Sequence, residues 1–397
     1  MTVLAPTRAA QREAGRRPDQ GAWPRRPAAR SAPRHLPGAD ALRALAAVAV
    51  IVIHASAWPL QDHGADHAVY TAINLLARFA VPAFVLLTGL LLAYRYGDQP
   101  LGRAFLFRRA RRSVLPWLIW APIFCAADIL MGFGLAPNGA DVRDWWSSGA
   151  GHLYFLLLVP QLYVLLLVWP ARRRALAVVT AAAVALQVAL SVVRLYVPMH
   201  TGVARQVMLV HGYELFPFWI GYFAIGVVAG RWLLSRRGRG LPAWPFLVAV
   251  PFTAWLLLSD DVGRAANSAY GHGTGAFLRP MLLPFVLALC GAVIFAAPRV
   301  QLRMPRLRRA TDVVGRHSLG VYIVHPLLLT VLGRAVKPEL HAHLPWSMLP
   351  VLGMVGGSLC GSLLFCAVLA RTPLAAAIGE ERVRPRRERR LVGRPAV

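Results

Sequence analysis

The stretch from Leu42 to His54, LRALAAVAVIVIH, holds ten consecutive apolar residues between an arginine and a histidine. With the residues that follow it, this run forms an apolar block, 42–60, that is long enough for a helix to cross a lipid bilayer. Arg43 and His54 lie ~16 Å apart along such a helix, at 1.5 Å per residue, and their directions differ by only ~20°. We therefore expect both polar side chains to face one common crevice.

The rest of the chain has the composition of a polytopic membrane protein. Of 397 residues, 57% are hydrophobic and only 15% are charged. Ten apolar blocks are long enough to cross ~30 Å of hydrocarbon. They cover residues 42–60, 70–94, 113–133, 151–170, 174–193, 214–234, 243–258, 275–297, 312–333 and 346–370. The predicted fold is all-α, a membrane helix bundle with about ten transmembrane helices.

The distribution of charge predicts the orientation of these helices. A net charge of +27 would suggest nucleic acid as a partner in a soluble protein, but here the arginines lie in short connections between apolar blocks. Residues 95–112, 171–174, 231–242 and 298–311 carry 18 arginines, whereas the alternate connections carry six basic residues and most loop acids. By the positive-inside rule, we expect a multi-pass protein of the cell membrane, with both termini cytoplasmic and no nucleic-acid partner.

Composition also divides the chain into three parts. Residues 1–37 are rich in Arg, Pro and Ala and lack an apolar core, so they are expected to form a disordered basic arm and not a cleaved signal peptide. Residues 38–372 form the predicted transmembrane domain. Residues 373–397, which include RVRPRRERR, are predicted to be a basic cytoplasmic tail.

Glycines at four-residue spacing mark predicted sites of close helix packing. Gly226 and Gly230 lie in the sixth span, and Gly353, Gly357 and Gly361 lie in the last. Small residues at this spacing allow helix backbones to approach each other. We expect contacts within this bundle.

Three ionisable residues on three different spans share one depth in the membrane. His54, Arg78 and His325 lie six to eight residues from the outer ends of their spans, ~9 to 12 Å below the outer surface. A lone histidine in a span can simply bond to a neighbouring helix, but an ionisable residue in lipid is costly, so a shared depth favours a functional site.

A cluster of arginines stands at the opposite, inner boundary. Arg108, Arg109, Arg111 and Arg112 directly precede the third span, and Arg43 lies at the same level. Such a cluster is either an ordinary topology signal or an anion pocket, because guanidinium groups bind phosphate bidentately. The charge count alone leaves both interpretations open.

Five segments in order between residues 40 and 330 resemble the acyltransferase 3 family of integral membrane O-acyltransferases. The first-span arginine and histidine match its opening motif, and RFAVPAFVLLTGLLL, which begins at Arg78, resembles the second-span motif. The remaining segments are RRARRSVLPWLIW with Arg109 and Arg112, GHLYFLLLVPQLY, and SLGVYIVHPLLL with Tyr322 and His325. Many members carry a tryptophan where Tyr154 stands, and a glutamate where Val159 and Pro160 stand.

The resemblance implies a ten-helix protein that moves an acyl group from cytoplasmic acyl-CoA to a hydroxyl group. The expected donor is acyl-CoA, with acetyl-CoA the first choice, and the expected acceptor is an extracytoplasmic carbohydrate or lipid-linked sugar in contact with membrane lipid. No soluble hydrolase-like domain follows the last span, so we expect the chain to acylate its acceptor directly or through a separate protein.

The resemblance and the residue chemistry together define a candidate site. Acyl transfer requires a base for the hydroxyl proton, and His54 is the candidate. It also requires donors for the developing oxyanion, a role that suits Arg78 and Tyr322. Arg43, Arg109 and Arg112 are predicted to bind the CoA phosphates. His325 either orients the acceptor or acts as a second base.

Other functions are compatible with parts of the pattern. Membrane histidines, arginines and Asp128 also suit a proton-coupled exporter of a small polar metabolite, although no inverted repeat is visible. A scaffold that uses the basic arm on anionic lipid is a third possibility. His63 and His67 have the spacing of a zinc site, but they lie in a short loop with Gly64, so we predict no metal.

Overall fold

The computed structural model describes residues 35–63, 68–97, 99, 101–131, 146, 149–236, 240–268, 273–343 and 348–381. Within these residues all regular secondary structure is helical, which confirms the predicted all-α class. The longer helices are α1 (Pro37–His63), α2 (Ala68–Ala77), α3 (Ala80–Tyr96), α4 (Arg103–Met131), α5 (Tyr154–Leu167), α6 (Arg173–Tyr196), α7 (Ile220–Ser235), α8 (Trp244–Leu258), α9 (Leu282–Arg303), α10 (Pro305–Arg316), α11 (Ser318–His343) and α12 (Leu349–Leu369).

The predicted membrane spans coincide with apolar helices of the bundle. In the described part of the chain, eight helices are long and apolar enough to cross a membrane, with α2 and α3 together making one of them. Two shorter apolar helices, Gly151–Leu167 and Ile220–Ser235, match the fourth and sixth predicted spans. Leu36, just before α1, and Gly379, after α12, line one pocket, so both ends of the described chain lie on the same side of the bundle.

The second span is interrupted where a single helix was expected. Helix α2 ends at Ala77 and α3 begins at Ala80, so Arg78 and Phe79 lie in a turn. Pro82 lacks the N–H that would bond to the carbonyl of Arg78 four residues earlier, and the helix breaks at that carbonyl. Arg78 still lies on the face of α2 that carries Asn74, four residues earlier, to which its guanidinium donates.

The connection before the ninth span also differs from its prediction, because residues 298–311 are helical and not a simple loop. Helix α9 continues to Arg303, and α10 then forms a separate amphipathic helix, followed by α11 from Ser318. The arginines of α10 are exposed, while Gly315 is buried so closely against the carbonyl of Asp40 on α1 that a Cβ would meet it. The many arginines of residues 298–311 suggest a loop, although the segment also has the 3.6-residue periodicity of an amphipathic helix.

Glycines bring α3 and α7 into backbone contact. A Cβ on Gly226 would collide with the carbonyl oxygen of Leu86, and one on Gly230 with the carbonyl oxygen of Leu90. The packing predicted for these glycines is confirmed. In α12 the added Cβ of Gly361 would lie 3.1 Å from Leu328 of α11, whereas Gly353 has no atom within 4 Å of that position.

The first residues of the predicted tail fold against the bundle. Residues Pro373–Ile378 form a 3₁₀-helix with a buried Ile378, and the Trp120 indole N–H donates to the carbonyl of Ala377 at 2.9 Å. His317 and Glu380 then pair at 2.7 Å. Residues 382–397, the arm up to residue 34 and the loop 64–67 lie outside the described residues.

The α3–α7 contact makes Gly226→Ala a test of the packing. The added methyl group has to push two helix backbones apart, and overpacking of this kind costs about 1–3 kcal/mol. We expect a lower melting temperature for the detergent-solubilised variant in fluorescence-detected size-exclusion chromatography. Gly353→Ala is the control, because a Cβ at Gly353 meets no atom within 4 Å, and its melting temperature should match that of the wild type. Equal melting temperatures for the two variants would contradict the close approach of α3 and α7.

Candidate active site

A basic pocket of about 560 Å³ opens on the side of the bundle where the described chain begins and ends. Its rim carries four arginines, Arg43, Arg95, Arg109 and Arg112. Its far wall includes Phe84, which lies on α3 eleven residues before Arg95 and so ~16 Å further into the bundle. The pocket therefore changes from cationic to apolar along its depth.

The rim arginines have few anionic partners within the described residues. Arg43 donates to Asp40 at 2.6 Å, and the same carboxylate lies 2.6 Å from His35. Arg109 donates only to the neutral Tyr96 hydroxyl, at 3.3 Å. Arg112 pairs with Glu381, with both side chains largely exposed. The rim thus retains excess positive charge and suits a polyanionic ligand.

Three imidazoles form the histidine cluster: His54 on α1, His152 just before α5, and His325 on α11. The ring centroids of His54 and His325 are 5.1 Å apart, those of His152 and His325 5.7 Å, and those of His54 and His152 6.4 Å. Side chains more than 90 residues apart in the chain therefore meet in one place.

The backbone of α11 determines which ring nitrogen of His325 carries the proton. Pro326 has no N–H, so the carbonyl of Tyr322 lacks its usual helical donor. Nδ1 of His325 donates to that carbonyl at 2.8 Å, which leaves Nε2 as the basic nitrogen. His325 is fully buried, and Nε2 has no hydrogen-bond partner among the described residues.

His152 is held by the same helix. Its Nε2 donates to the carbonyl of Ile323 at 3.2 Å, and its own backbone carbonyl accepts a hydrogen bond from the Tyr322 hydroxyl. His54 differs from the other two because no hydrogen bond holds its ring within the described chain. It is only partly buried, whereas His325 is completely covered. His54 is therefore the imidazole of the cluster whose ring is least restrained.

Arg78 is a buried cation beside this cluster. Its guanidinium donates twice to Oδ1 of Asn74, at 3.0 and 3.1 Å, and stacks on Phe277 with Cζ 5.1 Å from the ring centroid. No carboxylate pairs with it in the described part of the chain, and its charge acts on His54. Asn74 also donates to the carbonyl of Ile53 at 2.7 Å, which ties this unit to α1 next to His54.

Two aromatic rings separate the basic pocket from the histidine cluster. Phe84 and Phe155 line the pocket and contact each other, with ring centroids 5.9 Å apart. Phe155 also contacts the Tyr322 ring, at 5.6 Å, and follows His152 by three residues. Because the Tyr322 ring in turn contacts those of His152 and His325, this aromatic pair links the wall of the pocket to the histidine cluster.

Turns before α7 cover α5 on the side away from the pocket. Gln161 of α5 donates to the carbonyl of Glu214 and accepts from the N–H of Phe216, at 3.0 and 3.1 Å. Burial raises the pKa of the Glu214 carboxyl to about 7, and His211 lies 3.4 Å from it. This segment begins the sixth predicted span, yet its helix starts only at Ile220.

The structure groups the residues named from the sequence into two sets. Arg43, Arg109 and Arg112 line the basic pocket; His54, Arg78, Tyr322 and His325 lie in and around the histidine cluster. The sequence pattern gives His152 no role, although this residue lies in the GHLYFLLLVPQLY segment. Glu381 falls in the predicted cytoplasmic tail, and no sequence signal links it to Arg112.

Comparison with protein families adds an independent finding. The acyltransferase domain model of the acyltransferase 3 family matches residues 36–371, most of the chain. Comparisons with curated proteins and with solved structures found no match. The chain therefore belongs to the acyltransferase 3 family and is a multi-pass membrane acyltransferase.

Proposed function

We propose that this acyltransferase binds acyl-CoA in the basic pocket and transfers the acyl group to a hydroxyl of a carbohydrate or lipid-linked sugar. Acetyl-CoA is the proposed donor, and the cell membrane is the proposed location. One observation carries the proposal: a pocket with an arginine rim ends at an aromatic pair, and Phe155 of that pair contacts Tyr322, whose ring lies against His152 and His325. The proposed donor-binding pocket therefore lies next to the proposed general base.

The rim has the chemistry that a CoA nucleotide requires. CoA carries several phosphate charges, and arginine binds phosphate through two parallel hydrogen bonds. Arg112 is largely exposed and binds the carboxylate of Glu381. Its guanidinium can therefore be reached by an anion such as a phosphate. The apolar stretch towards Phe84 and Phe155 then suits the narrow, largely uncharged pantetheine arm.

His54 is proposed as the general base. The hydroxyl oxygen of the acceptor attacks the thioester carbonyl carbon while its proton passes to His54. The carbonyl oxygen becomes an oxyanion, which the uncompensated charge of Arg78 stabilises. Collapse breaks the carbon–sulfur bond, and His54 returns the proton to the departing CoA sulfur, giving an ester and free CoA.

His325 and Tyr322 have supporting roles in this proposal. The basic Nε2 of His325 lies in a ring 5.1 Å from that of His54, so it provides a proton acceptor behind the base. Tyr322 donates its single hydroxyl proton to the carbonyl of His152 and thereby positions that residue. Both residues act through their neighbours.

Membranes that contain the protein should transfer label from radiolabelled acetyl-CoA to a carbohydrate or glycolipid fraction. His54→Ala should reduce this transfer at least ~100-fold, because general base catalysis contributes about 10²–10⁴. The matched control is His200→Ala, which removes an exposed loop histidine outside the site. A near wild-type rate for His54→Ala would refute the base assignment.

Substrate efflux that follows the proton gradient without any need for CoA would favour the alternative function, a proton-coupled exporter.

The phosphate assignment is tested with the double variant Arg109→Gln/Arg112→Gln. Loss of charge-assisted hydrogen bonds worth about 1.5–3 kcal/mol each should raise the Michaelis constant for acyl-CoA at least ~10-fold. Initial-rate kinetics at saturating acceptor measure it. Arg172→Gln/Arg174→Gln removes equal charge from an exposed connection and should leave this constant unchanged. A change confined to the Michaelis constant for the acceptor would contradict the assignment of Arg109 and Arg112 to the CoA phosphates.

Glu381 should compete weakly with the donor for Arg112. An exposed ion pair is worth about 0.2–1 kcal/mol, so Glu381→Gln should tighten CoA binding by up to ~5-fold. Binding of CoA to protein in nanodiscs measures this effect. Glu380→Gln serves as the control because Glu380 pairs with His317. Weaker CoA binding by Glu381→Gln would show that Glu381 does not compete with the donor for Arg112.

A further inference from the structure

The hydroxyl of Tyr154, at the start of α5, is a buried polar group without an assigned role. Tyr154 is 5% exposed, and its oxygen has no hydrogen-bond partner among the described residues. An unsatisfied buried hydroxyl costs about 1–3 kcal/mol. Such a cost is understandable if the hydroxyl binds a reacting group during catalysis.

The surroundings of this hydroxyl are aromatic and cationic. The Tyr154 ring contacts Tyr213 at 4.9 Å between centroids and stacks on Phe277 at 6.3 Å. The same Phe277 ring carries the Arg78 guanidinium, 5.1 Å from its centroid. Phe277 thus contacts both Arg78 and Tyr154, which also interact electrostatically, so two hydrogen-bond donors are neighbours in a buried region. The carboxylate of Glu214 also acts on Tyr154, but it does not pair with the Arg78 guanidinium among the described residues.

Tyr322, the other tyrosine beside the histidines, is not available as a second oxyanion donor. A phenol has one proton to donate, and that of Tyr322 is bound to the carbonyl of His152. Tyr154 lies only two residues from His152, with its proton uncommitted.

We propose that the Tyr154 hydroxyl is a catalytic oxyanion donor that acts together with Arg78. This inference rests on the proposed function. As the acceptor oxygen adds to the thioester carbonyl, the carbonyl oxygen gains negative charge and accepts hydrogen bonds from the guanidinium and the phenol. Neither donor gives up its proton; both bonds weaken again when the carbon–sulfur bond breaks. The buried hydroxyl therefore has a partner only while the oxyanion exists.

This assignment predicts an effect on turnover and not on donor binding. In Tyr154→Phe, kcat for acetyl-CoA turnover in membranes should fall about 100-fold, the cost of one lost oxyanion donor. The affinity of the nanodisc protein for CoA should stay within 2-fold of wild type. The melting temperature should be equal or higher, because an unsatisfied buried hydroxyl is removed.

Tyr222→Phe is the matched control, since Tyr222 is an equally buried tyrosine on α7 outside the cluster. It should retain wild-type kcat. A wild-type kcat for Tyr154→Phe, or a loss accompanied by a lower melting temperature, would overturn the role of Tyr154. Absence of acetyl-CoA turnover by the wild type would instead overturn the proposed function itself.

Discussion

The burial of Arg78 without a carboxylate partner among the described residues is the constraint on which the candidate site depends. Pro82 breaks the second span, so Arg78 lies in a turn where its side chain can point inward. Asn74 and Phe277 then hold the guanidinium without neutralising it. A cation kept in this way is costly in a membrane, and the cost is understandable where negative charge develops during a reaction.

The histidine cluster is ordered mainly by backbone carbonyls. Pro326 frees the carbonyl of Tyr322 for His325, and the next carbonyl, that of Ile323, binds His152. The histidine followed by proline therefore fixes the tautomer of His325, and the neighbouring carbonyl of Ile323 fixes that of His152. His54 has no such restraint within the described chain and comes from a separate helix, which leaves it accessible to a substrate.

Much of this arrangement follows from the sequence because it depends on helix geometry. The shared depth of His54, Arg78 and His325 required only the rise of a helix. The common crevice expected for Arg43 and His54 has no such counterpart, because Arg43 lines the basic pocket and His54 is not among the residues that line it. What the sequence concealed depends on contacts between distant segments. The pairing of Glu381 with Arg112 joins residues 269 positions apart, and no local pattern encodes it.

A structure of the protein with a non-hydrolysable acetyl-CoA analogue tests the central claim most directly. We predict phosphates at the arginine rim, the acyl group beyond Phe84 and Phe155 beside His54, and its carbonyl oxygen about 2.7–3.1 Å from Arg78. An analogue bound elsewhere, or one in the pocket with its carbonyl directed away from Arg78, would contradict the account.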